Sequence, residues 1–249
     1  MDRLLEATHR AEQAHFWFRG FRAFVRPLIR QALAGRASAR ILDCGCGTGA
    51  NLAILGEYGR TFGFDISSRG LQFAREAGQL CVARASIDEM PFGAGLFDLV
   101  TAFDVLYALD EEQEARAIEE IVRVLKPGGS VIVNVAALGI LRGNHSLFGA
   151  EVRRSTRRRL RRLLTAAGLS VVRLTYTNFV LFPLMLAVRS AQRAIGLATP
   201  EEAGTDLAVP AAPVNETLAA LLWCEARALR LLDMPIGSSL LCIARKPDA

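Results

Sequence analysis

The stretch Ile41-Leu42-Asp43-Cys44-Gly45-Cys46-Gly47-Thr48-Gly49-Ala50 decides how the rest of the chain is read. A short apolar run, the length of a buried strand, ends on an acidic residue. Three alternating glycines follow, and then a helical pattern begins. Glycines so placed let the backbone turn sharply and let a ligand lie against the main chain without meeting a Cβ. The spacing Gly45-x-Gly47-x-x-Ala50 also satisfies the dinucleotide pattern, with Asp65 twenty residues beyond Gly45. Two features favour a different ligand. Asp43 stands where a diphosphate gains nothing from a carboxylate but an ammonium group is stabilised by one. Gly49 is one glycine more than a dinucleotide loop uses. Asp65, closing the next strand, offers two oxygens to adjacent ribose hydroxyls, which serves either ligand.

Outward from this loop, short apolar runs alternate with helical patterns, the signature of stacked βαβ units and a parallel sheet. Strands are predicted at Arg40–Cys44, Thr61–Ile66, Leu80–Ala83, Phe97–Phe103 and Ser130–Val135, the last after the turn Lys126-Pro127-Gly128-Gly129. Ser67 or Ser68 caps a helix through Leu71, Phe73, Ala74 and Ala77, and Glu111–Leu125 forms another. Two later strands are expected at Leu169–Leu174 and Ser239–Ala244. Between them lies a long insert with an apolar helical piece, a Pro/Ala/Gly-rich stretch and an amphipathic helix from near Asn215.

Five landmarks in this order are similar to those of the class I S-adenosylmethionine-dependent methyltransferases. Ile41 to Ala50 resembles their first motif, and Gly63-Phe64-Asp65-Ile66-Ser67 their ribose-binding strand end. Ala85-Ser86-Ile87-Asp88-Glu89-Met90-Pro91-Phe92 resembles the adenine-side segment; Phe97–Val100 and Leu125–Gly129 match later landmarks. The likeness is strong over 40–136 and looser beyond. It implies an α/β, Rossmann-like seven-stranded, mostly parallel sheet with helices on both faces and the last strand antiparallel. It also implies S-adenosylmethionine as cofactor, at the carboxyl ends of the strands. Asp43, Gly45, Cys46, Gly47 and Gly49 would then serve the methionine portion, Asp65 and Ile66 the ribose, and Ser86 and Ile87 the adenine, with Phe103 beside the sulfonium. The chain departs from the family twice. Ser86 stands where an acidic residue is common, and Leu106 is followed by Tyr107-Ala108 where relatives often carry Glu-His.

The resemblance implies a single methyltransferase domain over 1–249: a helical N-terminal lid (1–35), a Rossmann-like core (36–178 and 236–249) and a helical insert (179–235). In the lid, Ala14-His15-Phe16-Trp17-Phe18-Arg19 is expected to fold over the cofactor, with Trp17 walling the pocket and Arg19 meeting the methionine carboxylate. Methyl transfer is an in-line displacement, so the protein chiefly positions the acceptor atom and excludes water; a base is needed only for a weakly acidic nucleophile. The candidates for catalysis are His15, His145 and Tyr107, each of which also has a plain packing or surface explanation.

Just over half the residues are hydrophobic and 22% are charged, the profile of a packed protein rather than a disordered one. Five scattered cysteines, an odd number, do not make a disulfide framework and lack metal spacing, so a reduced, cytoplasmic protein without metal is expected. The charged N-terminus gives no export signal. The most lipid-like run, the fifteen uncharged residues Leu174–Val188, falls short of the ~18–20 that span a bilayer. The net charge of +5 is concentrated in the seven arginines of 153–162. Leu160, Leu163, Leu164 and Ala167 recur there at helical spacing, so the arginines read as a solvated helix face, with an anion-binding patch as the alternative. No aromatic interleaving suggests nucleic acid.

The apolar insert suggests helices packed on the sheet edge or on a second subunit (a homodimer), or a greasy acceptor channel with membrane contact. The leading functional reading is a small-molecule methyltransferase with a partly apolar acceptor. Three alternatives remain at this point: a cyclase or rearrangement catalyst that binds the same cofactor without methyl transfer, an NAD-binding dehydrogenase, and an anion- or membrane-binding module.

Overall fold

The computed structural model describes residues 2–36, 38–141, 151–195 and 208–248. Seven strands form one sheet: β1 (Ala39–Cys44), β2 (Gly59–Asp65), β3 (Val82–Arg84), β4 (Phe97–Phe103), β5 (Leu125–Ala136), β6 (Ser170–Thr177) and β7 (Ser239–Arg245). Their order is β3-β2-β1-β4-β5-β7-β6. All neighbours are parallel except β7, which runs antiparallel to both β5 and β6. The expected topology is therefore present. Boundaries differ where local chemistry dominates. Leu80 lies outside β3, largely exposed. β5 begins early because Leu125 pairs with Phe97 before 126–129 loop out and pairing resumes at Leu99 and Ser130.

Period-two alternation separates two cores. Leu42, Cys44, Val100, Val131, Val133 and Cys242 face α5 (Glu111–Val124) and α6 (Arg157–Ala166). Ile41, Leu99, Ile132, Leu241 and Ile243 face α2 (Phe16–Ala32) and α8 (Ala212–Ala228). Completely buried side chains such as Ile41 and Leu99 each contribute about 1.5–3 kcal/mol. Three shorter helices, α1 (Asp2–Ala11), α3 (Ala50–Leu55) and α4 (Ser68–Glu76), lie near the glycine loop, and α4 is capped by Ser67, whose hydroxyl accepts from Gly70 N. After β6 comes α7 (Phe182–Ile195).

The insert helix α8 and the N-terminal helix α2 are joined, which the sequence did not reveal. A Cβ on Gly20 would stand 2.4 Å from Leu222 Cδ1, so α2 and α8 approach as closely as they do only because residue 20 is glycine. Asn215, buried at the start of α8, accepts from Phe16 N (2.8 Å) and donates to Ala14 O (2.9 Å). Glu225 accepts from Phe179 N and Val180 N, tying α8 to the end of β6.

The arginine run takes a more specific form than a solvated face. Arg153 and Arg159 pair with Glu111 and Glu114, Arg154 with Glu151, and Arg157 lies over the Tyr176 ring while donating to Met234 O. Leu160 and Leu164 are buried as predicted. No helix among the described residues is long and apolar enough to cross a membrane.

Candidate active site

In an open α/β sheet, ligands bind at the carboxyl ends of the strands where the strand order reverses. Here the reversal lies between β1 and β4, and a cavity of about 420 Å³ opens there. Its floor is Gly45, Cys46, Gly47 and Thr48 after β1, with Phe103 and Asp104 after β4. The size suits a drug-sized or nucleoside ligand.

The loop turns where the glycines are. Gly45 has φ +69°, and a Cβ there would lie 2.4 Å from Val105 Cγ2, so only glycine fits both the conformation and the space. Gly49 (φ +83°) opens α3, and its Cβ would meet Ala74 at 2.9 Å. Asp43 is buried beneath the loop. Thr101 Oγ1 donates to its Oδ1 (2.6 Å), while Oδ2 has no partner. Burial raises this carboxyl to about 7, and nearby Asp65 adds to the rise. A buried acceptor without a donor costs about 1–3 kcal/mol. An ammonium-bearing ligand would satisfy it, which is a physical match between these residues and the methionine end of S-adenosylmethionine.

Asp65 receives Gly47 N and Ser67 N, each at 2.8 Å, and so holds the loop against the end of β2. A carboxylate has lone pairs beyond these two for ribose hydroxyls. Ile66 is half-exposed at the strand end. Ile87 is buried in the core, and Ser86 donates to Asp88. None of Asp43, Gly49, Asp65, Ile66, Ser86 and Ile87 lines the cavity. Toward them the loop is roofed by α1: ideal Cβ atoms on Gly47 and Gly70 would lie 3.3 and 3.2 Å from the methyls of Leu5.

The start of α2 forms one wall of the cavity. His15, Trp17, Phe18, Phe21 and Arg22 line the cavity, and Phe21 packs edge-on against Phe103 at 5.1 Å. Arg19 departs from expectation: its guanidinium points outward and forms a bidentate pair with Glu216 (2.5 and 2.8 Å). Three residues further round the helix, Arg22 faces the cavity and donates to Glu12 O (2.8 Å) and Gln13 O (3.3 Å). His15 caps α2, its Nδ1 accepting from Trp17 N, and burial lowers its pKa, which keeps the ring neutral. The remaining nitrogen then carries the proton. Glu12 reaches over the loop and accepts from Thr48 Oγ1 at 2.6 Å; burial raises its pKa.

The opposite wall carries polar residues that the sequence reading passed over. Asp104 has φ +56°, unusual for a non-glycine residue, and strain of this kind gathers at functional sites. Its carboxylate opens into the cavity and accepts from Asn134 Nδ2 at 2.9 and 3.0 Å. Enclosure by protein raises it to about 6. Glu151 and Arg154 form a bidentate pair beside it. Tyr107 lines the cavity, and its hydroxyl is pushed up by burial, so it is protonated at neutral pH. His145 lies outside the described residues. Leu181, Leu184, Met185 and Leu218, all from the insert, form the apolar end. No cluster of three potential metal ligands occurs among the described residues, and the five cysteines are free.

Residues 42–133 match the family model described as a methyltransferase domain. Malonyl-acyl-carrier-protein O-methyltransferase of Herminiimonas arsenicoxydans is 31% identical over 133 residues, 52% of this chain and 50% of that protein. The tRNA (carboxymethyluridine(34)-5-O)-methyltransferase of Arabidopsis thaliana is 36% identical over 98 residues, 39% of this chain and 24% of that protein. The chain thus spans half or less of the length of the curated relatives it matches. The crystal structure of the cyclase SpnF aligns with a TM-score of 0.58 at 23% identity, covering 91% of this chain and 81% of that one, a likeness of fold. The matched methyltransferase domain contains the loop built around Gly45, and the 3-2-1-4-5-7-6 sheet has the same Rossmann-like fold as this structural neighbour.

Proposed function

We propose that the chain transfers a methyl group from S-adenosylmethionine to a small, partly apolar acceptor. The observation that carries this reading is one continuous cavity, with the glycine loop at one end, Phe103 between, and Leu181, Leu184, Met185 and Leu218 at the other. The bound cofactor supplies an electrophilic methyl on sulfur. The chain's own residues do the rest. Asp43 and Glu12 accept from the ammonium group, and Arg22, in place of Arg19, meets the carboxylate. Asp65 and Ile66 border the ribose, while Ser86 and Ile87 lie at the adenine end. Gly45, Cys46, Gly47 and Gly49 shape the cradle, and Trp17 with Phe103 walls the methyl from water. Tyr107 donates a hydrogen bond toward the acceptor, His15 does so through its protonated nitrogen, and His145, a further candidate, follows β5 in the sequence.

The apolar end, formed by Leu181, Leu184, Met185 and Leu218, favours a natural-product, lipid or glycan acceptor over a base in tRNA. A matched acceptor series of rising alkyl length tests this. Turnover should rise with lipophilicity until the channel is filled, and turnover indifferent to chain length removes the reading. Tyr107-Ala108, replacing Glu-His, favours a second possibility in which the bound sulfonium assists a rearrangement. Mass analysis separates the two, because only transfer adds a methyl group and yields S-adenosylhomocysteine.

A further inference from the structure

On the outer side of α2 a second, separate groove of about 360 Å³ runs between α2 and α8. Arg19, Arg22, Arg26 and Arg30 enter it from α2, and Arg227, Arg230 and Trp223 from α8. The α2 arginines recur at steps of three and four residues, which stacks them on one helix face. No acidic side chain among the described residues lines the groove. Among the described residues, ion pairs reach these arginines from Glu216 on Arg19 and Glu57 on Arg26, with a weaker attraction from Glu12 on Arg22, leaving four of the six without an ion pair. Arg22 is turned to backbone carbonyls, and Arg227 lies 3.7 Å over the Trp223 ring. Arg30, Arg227 and Arg230 have no carboxylate partner among the described residues. Like charges gathered this way repel, and burial and the neighbouring Arg19 and Arg26 already depress Arg22. An anion supplies what the site lacks.

We propose that this groove binds a compact phosphate-bearing ligand, a diphosphate or phosphomonoester group, at a site distinct from the methyl-transfer cavity. Planar guanidinium forks match phosphate oxygens bidentately, which lysines do not. The concave shape argues against a flat bilayer, since the cations sit inside a groove instead of standing out from a convex face. Single-stranded nucleic acid calls for a series of stacking aromatics, whereas the one tryptophan here is already covered by Arg227. Arg22 borders both the groove and the methyl-transfer cavity, so an anion bound in the groove lies against a wall they share.

The test uses inorganic pyrophosphate as the probe, with calorimetry and thermal stability as readouts, on the whole chain at low and moderate salt. The comparison is the triple variant Arg30→Ala, Arg227→Ala, Arg230→Ala, none of which touches the cavity. Pyrophosphate should bind the parent and raise its Tm. The triple variant should bind on the order of tenfold to a hundredfold more weakly, from the loss of two or three charge-assisted contacts. S-Adenosylhomocysteine affinity should be unchanged in both, which shows that the variant is folded and separates this outcome from any failure of the methyltransferase reading. Equal pyrophosphate binding by parent and variant, or no binding by the parent, overturns the proposal. So does binding confined to vesicles rich in phosphatidic acid or to a single-stranded oligonucleotide, with pyrophosphate ignored.

Discussion

Replacing Arg22 with alanine removes the one lid guanidinium that faces the cavity while anchored to the backbone at Glu12 and Gln13. If it meets the methionine carboxylate, the lost charge-assisted contact is worth about 1.5–3 kcal/mol, or roughly a 10- to 150-fold rise in Kd. Titration calorimetry with S-adenosylhomocysteine reads this directly. A second ligand, 5′-methylthioadenosine, shares the nucleoside but has no amino-acid group. Its affinity should be untouched by Arg22→Ala if the contact is with the carboxylate. Equal losses for both ligands would mean that Arg22 acts by holding the lid. Arg19→Ala is the matched control: its exposed pair with Glu216 lies outside the cavity, so S-adenosylhomocysteine binding should not change. A loss confined to Arg19→Ala would refute the assignment.

Other outcomes follow from the same geometry. Asp43 is raised from 3.8 to about 7 by burial, so the native chain holds a proton that the unfolded chain releases between those values. Stability of the ligand-free protein therefore falls as pH climbs through that window, and Asp43→Asn should lessen the fall, with Asp104 and Glu12, also raised by burial, keeping the remainder. By pH 8 the variant should gain on the order of 2–4 kcal/mol in urea titrations while losing affinity for S-adenosylhomocysteine; a variant that is less stable at pH 8 contradicts this. Gly45→Ala should abolish cofactor binding, because its methyl meets Val105, whereas Gly78→Ala, equally strained at φ +83° with nothing nearby, should cost only about 1 kcal/mol of stability. Asn215→Ala leaves Phe16 N and Ala14 O without partners, so about 2 kcal/mol of stability should be lost. Limited proteolysis should then cut near residues 12–16 sooner, and unchanged cleavage would show that the lid is held otherwise.

What could be read in advance was what rests on local periodicity. The run Ile41 to Ala50 announced a buried strand, a glycine turn and a helix, and all three are present. Leu42 and Ile41 fall on opposite faces because strand periodicity is two, a rule that needs no tertiary knowledge. Arg19 and Arg22 show where that reading stops. Both lie on one amphipathic helix, and which faces the ligand depends on how α2 rotates against α8, set by Gly20 and Leu222, some two hundred residues apart in the chain. Asn215 gave no signal for the same reason, since its partners are at Ala14 and Phe16. Asp104 was legible only as an acid beyond a strand end. Its strained backbone and its clasp by Asn134 arise from the parallel neighbour strand. In the arginine run, Arg158, Arg161 and Arg162 are exposed as a solvated face, while Arg153 and Arg159 find Glu111 and Glu114 on another helix, which no count along the run discloses.

The central claim is that the loop after β1 cradles a nucleoside carrying an amino acid and not a diphosphate. Side-by-side calorimetry of the parent chain with S-adenosylhomocysteine and with NADH tests it most directly. The account predicts one equivalent of S-adenosylhomocysteine bound and no heat from NADH. Saturable NADH binding with S-adenosylhomocysteine silent would contradict it.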